Sequence, residues 1–286
     1  MRTRFAPSPT GPLHLGHAYS ALVAHQLATK MGGLFLLRIE DIDQTRARPI
    51  WEEQIFNDLS WLGLSWPEPV LRQSQNMQAY RTALDHLAGL GVLYPCTCTR
   101  RDIQQALSAP QEGHVPLTGP DGLIYPGTCR SKQLRQEVPE NSVLRLNMCK
   151  AIELIREQNG SSSICFSELS DDREVEVALM DLPETVGDIV LARRDFGTSY
   201  HLSVVVDDAA QDISHVVRGM DLFDATKIHV VLQSLLDLPT PAYLHHRLIR
   251  DDAGKRLAKR DDARALATYR DQGKTPRDIR RMLGFA

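Results

Sequence analysis

Two histidines three residues apart are the most distinctive chemical feature of this chain. His14 and His17 end the run Arg-Phe-Ala-Pro-Ser-Pro-Thr-Gly-Pro-Leu-His-Leu-Gly-His, which covers residues 4–17. The prolines and glycine before His14 disfavour regular structure, and good helix formers follow from Ala18. The pattern predicts a helix with both imidazoles on one face, and Gly16 between them lets a flat ligand approach the backbone. Because a helix N-terminus attracts phosphate, we predict a nucleotide-triphosphate site here.

Charged residues form two further clusters. Arg-Ile-Glu-Asp-Ile-Asp-Gln-Thr-Arg covers residues 38–46, after a predicted strand. Its carboxylates fit a helix cap, a metal site or a receptor for an ammonium group, and the residues alone leave these three open. Gly-Lys-Arg-Leu-Ala-Lys-Arg covers residues 254–260. A glycine followed by four cations predicts a loop that closes over phosphates.

Three cysteines and a tyrosine have spacing that is typical of a metal site. They are Cys96 and Cys98, in a CxC pair, and Tyr125 and Cys129, in a YxxxC segment. Zinc prefers tetrahedral thiolate and imidazole ligands, whereas phenolate oxygen is a rare ligand. The alternative is a set of three buried free thiols.

The elements around these residues alternate between strand and helix, which predicts a doubly wound, Rossmann-like α/β fold with a parallel sheet. The ligands of such a sheet bind at the carboxyl ends of its strands. Predicted strands are Thr3–Ala6, Leu34–Ile39, Ser142–Leu146, Val186–Leu191, Ser203–Asp207, Ile213–Val217 and Tyr243–Leu248. Predicted helices are His14–Met31, Trp51–Leu62, Ala79–Gly91, Thr226–Leu236 and two short helices near the C-terminus.

The pattern divides the chain into four segments. Residues 1–93 and 181–240 are expected to form the two halves of the catalytic domain. Residues 94–180 form an insert that holds the zinc-binding module, and residues 241–286 form the basic loop and the C-terminal helices. The insert contains few apolar residues, so we expect zinc to have a structural role there.

Composition limits the class of protein. The chain has 286 residues, 42% hydrophobic and 24% charged, with five cysteines and a net charge of −3. These values are ordinary for a globular protein, and no apolar run approaches the ~20 residues that cross a bilayer. With no signal peptide and too few cysteines for a disulfide framework, we expect a cytoplasmic protein without a membrane partner. From Arg247 onward, twelve Lys or Arg stand against six Asp or Glu, which suits either a solvated face or a polyphosphate partner.

The histidine run resembles the first signature of class I aminoacyl-tRNA synthetases, in the version of the glutamate enzymes. Residues 38–46 resemble that family's RxEDxDxxR segment. Residues 256–260 resemble its KMSKS motif, although Ala258 stands where the family usually has serine. The resemblance covers nearly the whole chain but only the catalytic half of those enzymes. It implies the predicted fold and an ATP-dependent activation of L-glutamate, with Mg²⁺ as activator.

The resemblance also implies roles for individual residues. The phosphate-stabilising catalytic residues would be His14, His17 and Lys259, and Gly16 would join them in binding ATP. The KMSKS-like motif is Arg256, Leu257, Ala258, Lys259 and Arg260. The glutamate pocket would comprise Arg4, Phe5, Ala6, Pro7, Ser8, Glu40, Tyr200 and Arg218. In bacterial relatives the CxC…YxxxC arrangement is a zinc site, which implies Cys96, Cys98, Tyr125 and Cys129 as ligands.

The length of the chain, compared with that of the family it resembles, implies which molecule accepts the glutamyl group. In the glutamyl-tRNA synthetases a helical anticodon-binding region follows the point where this chain stops. Self-contained members of the superfamily attach glutamate to the queuosine base of tRNA(Asp). We therefore expect a monomer whose RNA partner is tRNA(Asp) carrying queuosine and whose adenylation step needs no tRNA. The alternatives are charging of the 3′ end of tRNA(Glu) and a non-catalytic paralogue that binds tRNA or an amino acid.

Overall fold

Parallel β-strands and the helices that connect them form the centre of the computed structural model, which describes residues 1–107, 118–134, 138–139, 141–249 and 264–285. The strands are β1 (Arg2–Phe5), β2 (Leu34–Ile39), β3 (Leu71–Arg72), β4 (Leu93–Cys96), β5 (Thr118–Gly119), β6 (Gly122–Leu123), β7 (Val143–Leu146), β8 (Ser163–Glu168), β9 (Arg173–Ala178), β10 (Val190–Ala192), β11 (His215–Gly219) and β12 (Ala242–His246). The helices are α1 (Leu15–Lys30), α2 (Pro49–Trp61), α3 (Met77–Gly89), α4 (Arg100–Leu107), α5 (Met148–Asn159), α6 (Leu182–Thr185), α7 (Tyr200–Ala210), α8 (Thr226–Leu235), α9 (Leu266–Asp271) and α10 (Pro276–Met282).

The strands fall into two parallel groups that meet between β1 and β11. On one side β2 pairs with β1 and with β3. On the other side β12 pairs in parallel with β11 and with β8, and β9 pairs antiparallel with β8. The backbone N–H of Ser214 donates to the Arg2 carbonyl across the junction, at 3.1 Å. Strand order reverses there, and such a reversal is where α/β sheets bind ligands. The predicted fold class is confirmed.

Small side chains hold α1 against the sheet. Ala18, Ala21, Ala24 and Ala28 have at most 1% of their surface exposed, which lets the helix approach β1 and β2 closely. Leu266 of α9 and Ile279 of α10 are buried in the same apolar cluster. The C-terminal helices therefore pack onto the first half of the chain. None of the helices in the described ranges combines the length and apolar character needed to cross a bilayer.

The prediction of a strand at Ser203–Asp207 was wrong, because this segment lies inside α7. Three consecutive valines favour a strand locally. The Ser199 hydroxyl instead accepts the Leu202 N–H at 3.4 Å and caps the helix. Two buried carboxylates on α7, at positions 207 and 208, find their cationic and polar partners only in the helical arrangement.

The remaining predicted elements are confirmed, with shifts at their ends. The strand predicted at Val186–Leu191 is reduced to β10: α6 ends at Thr185, and Gly187, with a φ of 72°, interrupts an extended backbone before Val190. Within the predicted insert, α5, β8 and β9 were not predicted, and α5 and β8 contribute buried side chains to the larger apolar core. The division at residues 93, 180 and 240 stays a prediction.

The ion pair between Asp58 of α2 and Arg270 of α9 links the two ends of the chain, with an Nη1–Oδ1 distance of 3.1 Å. Within the described residues, Asp58 Oδ2 has no hydrogen-bond partner. Burial raises the pKa of Asp58 to about 6, against the opposing effect of Arg270. Because folding raises the pKa of this carboxyl, the protein becomes less stable as the pH rises through about 6 and Asp58 loses its proton.

We expect Arg270→Ala to lower the free energy of unfolding by about 1–3 kcal/mol at pH ~8, because it leaves a buried carboxylate unpaired. The loss should be smaller at pH ~5, where Asp58 takes up a proton. Urea unfolding at both pH values measures the difference. The exposed Arg277 of α10 is the matched control, since Arg277→Ala removes a cation with no ion pair in the described part of the chain. An equal loss at both pH values would contradict this account of Asp58.

Candidate active site

A cavity of about 350 Å³ opens at the carboxyl ends of the parallel strands. It lies where strand order reverses, and its size is within the range of small-molecule sites. Its walls come from β1, the start of α1, the end of β2, the start of α7, β11 and the segment after β12. The lining residues are Arg4, Phe5, Ala6, His14, Gly16, His17, Ser20, Glu40, Tyr200, Val217, Arg218, Gly219, Asp221, Leu222, His246, Leu248 and Ile249.

The two histidines of the first motif cap helix α1. His14 is the N-cap residue, and its Nδ1 accepts the Gly16 N–H at 3.1 Å. His17 Nδ1 accepts the His14 N–H at 3.2 Å, and the two rings lie 3.8 Å apart. Since each Nδ1 accepts, the proton of each neutral imidazole is on Nε2. The cap therefore fixes the tautomer that offers an N–H donor at Nε2.

Arg4, which lines the cavity, shares the carboxylate of Asp208 with Arg38. Arg4 donates through Nε and Nη2 to the two oxygens of Asp208, at 2.9 and 3.2 Å. Arg38 Nη1 donates to Asp208 Oδ1 at 2.7 Å. Burial alone would raise the pKa of Asp208, but the two guanidinium groups hold it below its usual value. Asp208 was not predicted as a site residue, although two adjacent aspartates after an apolar run indicate buried carboxylates that need cationic partners.

Glu40 lies at the end of β2 with only 10% of its side chain exposed. Its Oε1 accepts from Arg38 Nη2 at 3.3 Å. Burial raises the pKa of Glu40, and the charges of Arg38 and Arg4 only partly offset the effect. A raised pKa indicates that the positive charges around the carboxylate do not fully compensate its burial. An ammonium group in the cavity would supply the missing positive charge.

Arg218 is a buried cation whose protein partners are all neutral groups. It donates through Nε to His245 at 3.0 Å, through Nη1 to His229 at 3.0 Å, and through Nη2 to the Thr226 hydroxyl at 2.6 Å. Burial and the neighbouring Arg218 charge hold the pKa of His229 well below its usual value, so His229 is neutral. Among the described residues, no carboxylate forms an ion pair with Arg218. A buried guanidinium in this state favours an anionic ligand.

Other predicted pocket residues divide into two groups. Phe5, Ala6 and Tyr200 line the cavity with Arg4 and Glu40. Pro7 and Ser8 are not among the lining residues and instead shape the loop after β1. The Pro7 carbonyl accepts the Glu40 N–H at 3.0 Å, and the Ser8 carbonyl accepts the Thr10 N–H at 2.8 Å.

The KMSKS-like residues Arg256, Leu257, Ala258, Lys259 and Arg260 lie outside the described residues. Ile249 lines the cavity. On the other flank, Ala265 bridges to His14, and the Leu266 N–H donates to the Leu13 carbonyl at 2.8 Å. The described residues on the two sides of the motif, Ile249 and Ala265, therefore lie at or next to the cavity.

The thiols of Cys96, Cys98 and Cys129 converge within 4.8 Å of one another. Cys98 Sγ lies 3.6 Å from Cys129 Sγ, and the Tyr125 hydroxyl lies 3.5 and 3.3 Å from the sulfurs of Cys96 and Cys98. Tetrahedral bonds of about 2.3 Å to sulfur and 2.0 Å to oxygen require separations of roughly 3.8 and 3.5 Å. Both the donor atoms and their spacing therefore fit a zinc ion. The other cysteines of the chain, Cys149 and Cys165, lie outside this cluster.

Residues 1–285 match the family described as tRNA synthetases class I (E and Q), catalytic domain. Relatives named glutamyl-Q tRNA(Asp) synthetase include one from Rhodobacter capsulatus, 58% identical over the full length of both chains. Another, from Geobacter sulfurreducens, is 38% identical over 94% of this chain and 78% of its own length.

Solved structures give the same family. A glutamate tRNA ligase from Elizabethkingia meningosepticum, in complex with its amino acid, has a TM-score of 0.74 and 26% identity over 99% of this chain and 60% of its own. This chain thus spans about three fifths of that enzyme. A methionyl-tRNA synthetase from Mycobacterium tuberculosis, with a TM-score of 0.60 and 9% identity over 99% of this chain and 63% of its own, shares the fold alone. The assignment to an enzyme family is confirmed: the chain belongs to the class I tRNA synthetases of the glutamate and glutamine branch.

Proposed function

We propose that this protein activates L-glutamate with ATP, without tRNA, and transfers the glutamyl group to the queuosine base in the anticodon of tRNA(Asp). The observation that carries the choice of amino acid is Arg218, a buried cation with only neutral partners among the described residues. The choice of acceptor is supported by the relatives named glutamyl-Q tRNA(Asp) synthetase, which match this chain over most of their own length.

The proposed substrate pose follows from charge. Among the described residues, Arg218 uses three of its five N–H donors on protein groups, and one donor on each terminal nitrogen then remains for the side-chain carboxylate of glutamate. Arg4 likewise keeps one donor on Nη1 and one on Nη2 beyond its bonds to Asp208 and the Val217 carbonyl. Glu40 faces the same cavity and accepts the α-ammonium group, whose charge offsets the burial of the carboxylate.

In the first proposed step, an oxygen of the glutamate α-carboxylate attacks the α-phosphorus of ATP. The bond from that phosphorus to the bridging β-phosphate oxygen breaks, which releases pyrophosphate and leaves glutamyl-adenylate. The Nε2–H groups of His14 and His17, with the Lys259 ammonium, stabilise the charge that develops on the phosphates. Mg²⁺, which enzymes of this class use with ATP, supplies further neutralisation of the triphosphate. Catalysis is then mainly positioning and electrostatics.

In the second proposed step, a hydroxyl of the queuosine cyclopentenediol attacks the activated acyl carbon. The bond between that carbon and the phosphate oxygen breaks, AMP leaves, and the hydroxyl proton passes to solvent or to the departing phosphate. The base must leave the anticodon stack to reach the cavity, which a single-stranded loop permits. The basic segment from Arg247 to Arg281 supplies phosphate contacts to the stem.

We predict that ATP–pyrophosphate exchange without tRNA depends on glutamate and that glutamine is a poor substitute, because an amide leaves the Arg218 charge uncompensated. Arg218→Ala should raise the KM for glutamate at least about 30-fold and narrow the preference over glutamine. Lys227→Ala, which removes a half-buried cation of α8 paired with Asp224, should leave both values unchanged. Equal exchange with the two amino acids in the unaltered protein would refute the pocket assignment.

A second prediction concerns pH. Since burial raises the pKa of Glu40, its carboxylate is protonated at a higher pH than an ordinary glutamate, and the protonated form cannot pair with an ammonium group. We expect the KM for glutamate to rise as the pH falls and Glu40 takes up a proton, while the KM for ATP changes little. Glu40→Gln should raise the KM at neutral pH and remove its dependence on acid. A pH dependence that persists unchanged in Glu40→Gln would assign it to another group.

We also propose that Cys96, Cys98, Tyr125 and Cys129 hold one structural zinc ion per chain. Metal analysis should find one zinc per purified protein, and Cys98→Ser should lower that content and destabilise the insert. Cys165→Ser is the control, because this thiol is exposed and lies outside the cluster. Purified protein with an intact cluster and no zinc would overturn the assignment.

The acceptor is tested with isolated anticodon stem-loops. A tRNA(Asp) stem-loop that carries queuosine should accept labelled glutamate, and the unmodified stem-loop should not. Periodate oxidation of the diol should abolish acceptance, and added salt should weaken binding because phosphate contacts release counterions. Glutamate on the 3′ end of tRNA(Glu) instead would support the 3′-charging alternative.

A further inference from the structure

Two chains of hydrogen-bonding side chains start at Arg218 and run away from the cavity. A guanidinium has donors and no acceptor, so His245 Nε2 and His229 Nδ1, which Arg218 contacts, must both act as acceptors. Each neutral imidazole then carries its proton on the opposite nitrogen. Arg218 thus fixes the tautomer of both histidines, and each presents a donor to the next group.

The shorter chain ends at Glu168, the last residue of β8. His245 Nδ1 contacts Glu168 Oε2, and the His245 backbone N–H donates to Oε1 at 3.1 Å. Glu168 is 1% exposed. Burial would raise the pKa of Glu168, but its bonds from His245 and Ser170 lower it, so the carboxylate is ionised.

The longer chain crosses into the insert. His229 Nε2 lies 3.2 Å from His201 Nδ1, and His201 Nε2 lies 3.4 Å from Asp121 Oδ1. Asp121 occupies the turn between β5 and β6, four residues before Tyr125 of the cysteine cluster. His201 and His229 are almost completely buried, whereas Asp121 is about one third exposed. This carboxylate therefore belongs to the metal-binding module and faces the back of the glutamate pocket.

The insert hairpin is also packed against the catalytic domain. A side chain at Gly119, next to this turn, would lie 2.6 Å from the Thr185 carbonyl, and one at Gly187 would lie 2.7 Å from the Ile124 side chain. Within the insert, the guanidinium of Arg145 on β7 lies over the Tyr125 ring, 3.9 Å from its centre. The two glycine contacts hold the hairpin against the end of α6 and the segment that follows it.

We propose that Asp121, acting through His201 and His229, is a positioning residue for Arg218, so that the insert sets the affinity of the pocket for the side-chain carboxylate of the amino acid. The inference rests on the proposed function, because it takes Arg218 as the carboxylate receptor. Asp121 keeps the His201 ring oriented, His201 keeps His229 in the tautomer that accepts from Arg218, and the guanidinium stays aligned for a two-point contact. Without Asp121 the chain lacks its terminal acceptor, and Arg218 is less well held.

The test is glutamate-dependent ATP–pyrophosphate exchange with Asp121→Ala and Asp121→Asn. We expect Asp121→Ala to raise the KM for glutamate about three- to tenfold, the modest size reflecting the partial exposure of Asp121, with kcat and the KM for ATP unchanged. Asp121→Asn keeps an acceptor oxygen and should fall between Asp121→Ala and the unaltered protein. Asp102→Ala is the matched control: it removes an exposed carboxylate of the same insert, which among the described residues is bonded to Thr99 alone, and it should leave the KM for glutamate unchanged.

A double-mutant cycle separates positioning from a general effect on folding. If Asp121 acts through Arg218, Asp121→Ala should have no further effect on glutamate use in an Arg218→Ala background. An equal effect in both backgrounds, or the same KM shift in Asp102→Ala together with loss of zinc, would overturn the proposal. So would an unchanged KM in Asp121→Ala when Arg218→Ala raises it. Failure of Arg218→Ala itself to affect glutamate would instead refute the proposed function.

Discussion

The carboxylate of Asp208 ties together the three elements on which the site depends. It accepts from Arg4 on β1 and from Arg38 on β2, and it is itself on α7. All three side chains are buried, so each charge is tolerated only because the others are present. The network fixes Arg4 and, through the bond of Arg38 to Glu40, holds the predicted ammonium receptor at the end of β2. Removing one member would leave an unpaired charge in the core.

Charge is distributed unequally around the cavity. Arg4 and Arg38 are neutralised by aspartates within the protein, whereas Arg218 is surrounded by His229, His245 and a threonine hydroxyl. The nearest carboxylates along its hydrogen-bond chains are separated from Arg218 by one imidazole ring, in the case of Glu168, and by two, in the case of Asp121. Its charge is therefore available to a ligand, while the histidines still fix its geometry. This separation of orientation from neutralisation is what the proposed role of Arg218 as a carboxylate receptor requires.

Local sequence signals predicted much of the site. Prolines and glycines followed by helix formers located the loop and α1, and CxC with YxxxC predicted the cluster that the structure brings together. These local signals failed where contacts between residues distant in sequence determine the structure. Three consecutive valines in α7 have the local pattern of a strand. Asp208 and its ion pairs with Arg4 and Arg38 were therefore not predicted. His201, His229 and His245 come from three separate elements, and no spacing along the chain links them. The roles of the KMSKS-like residues stay predictions.

The central claim is that Arg218 and Glu40 receive the two ends of a glutamate substrate. It is tested most directly by a crystal structure of the protein with a non-hydrolysable glutamyl-adenylate analogue. The account predicts the side-chain carboxylate of the analogue within hydrogen-bond distance of both terminal nitrogens of Arg218, and its ammonium group against Glu40. A side-chain carboxylate that lies away from Arg218, with its contacts to His229, His245 and Thr226 unchanged, would contradict the account.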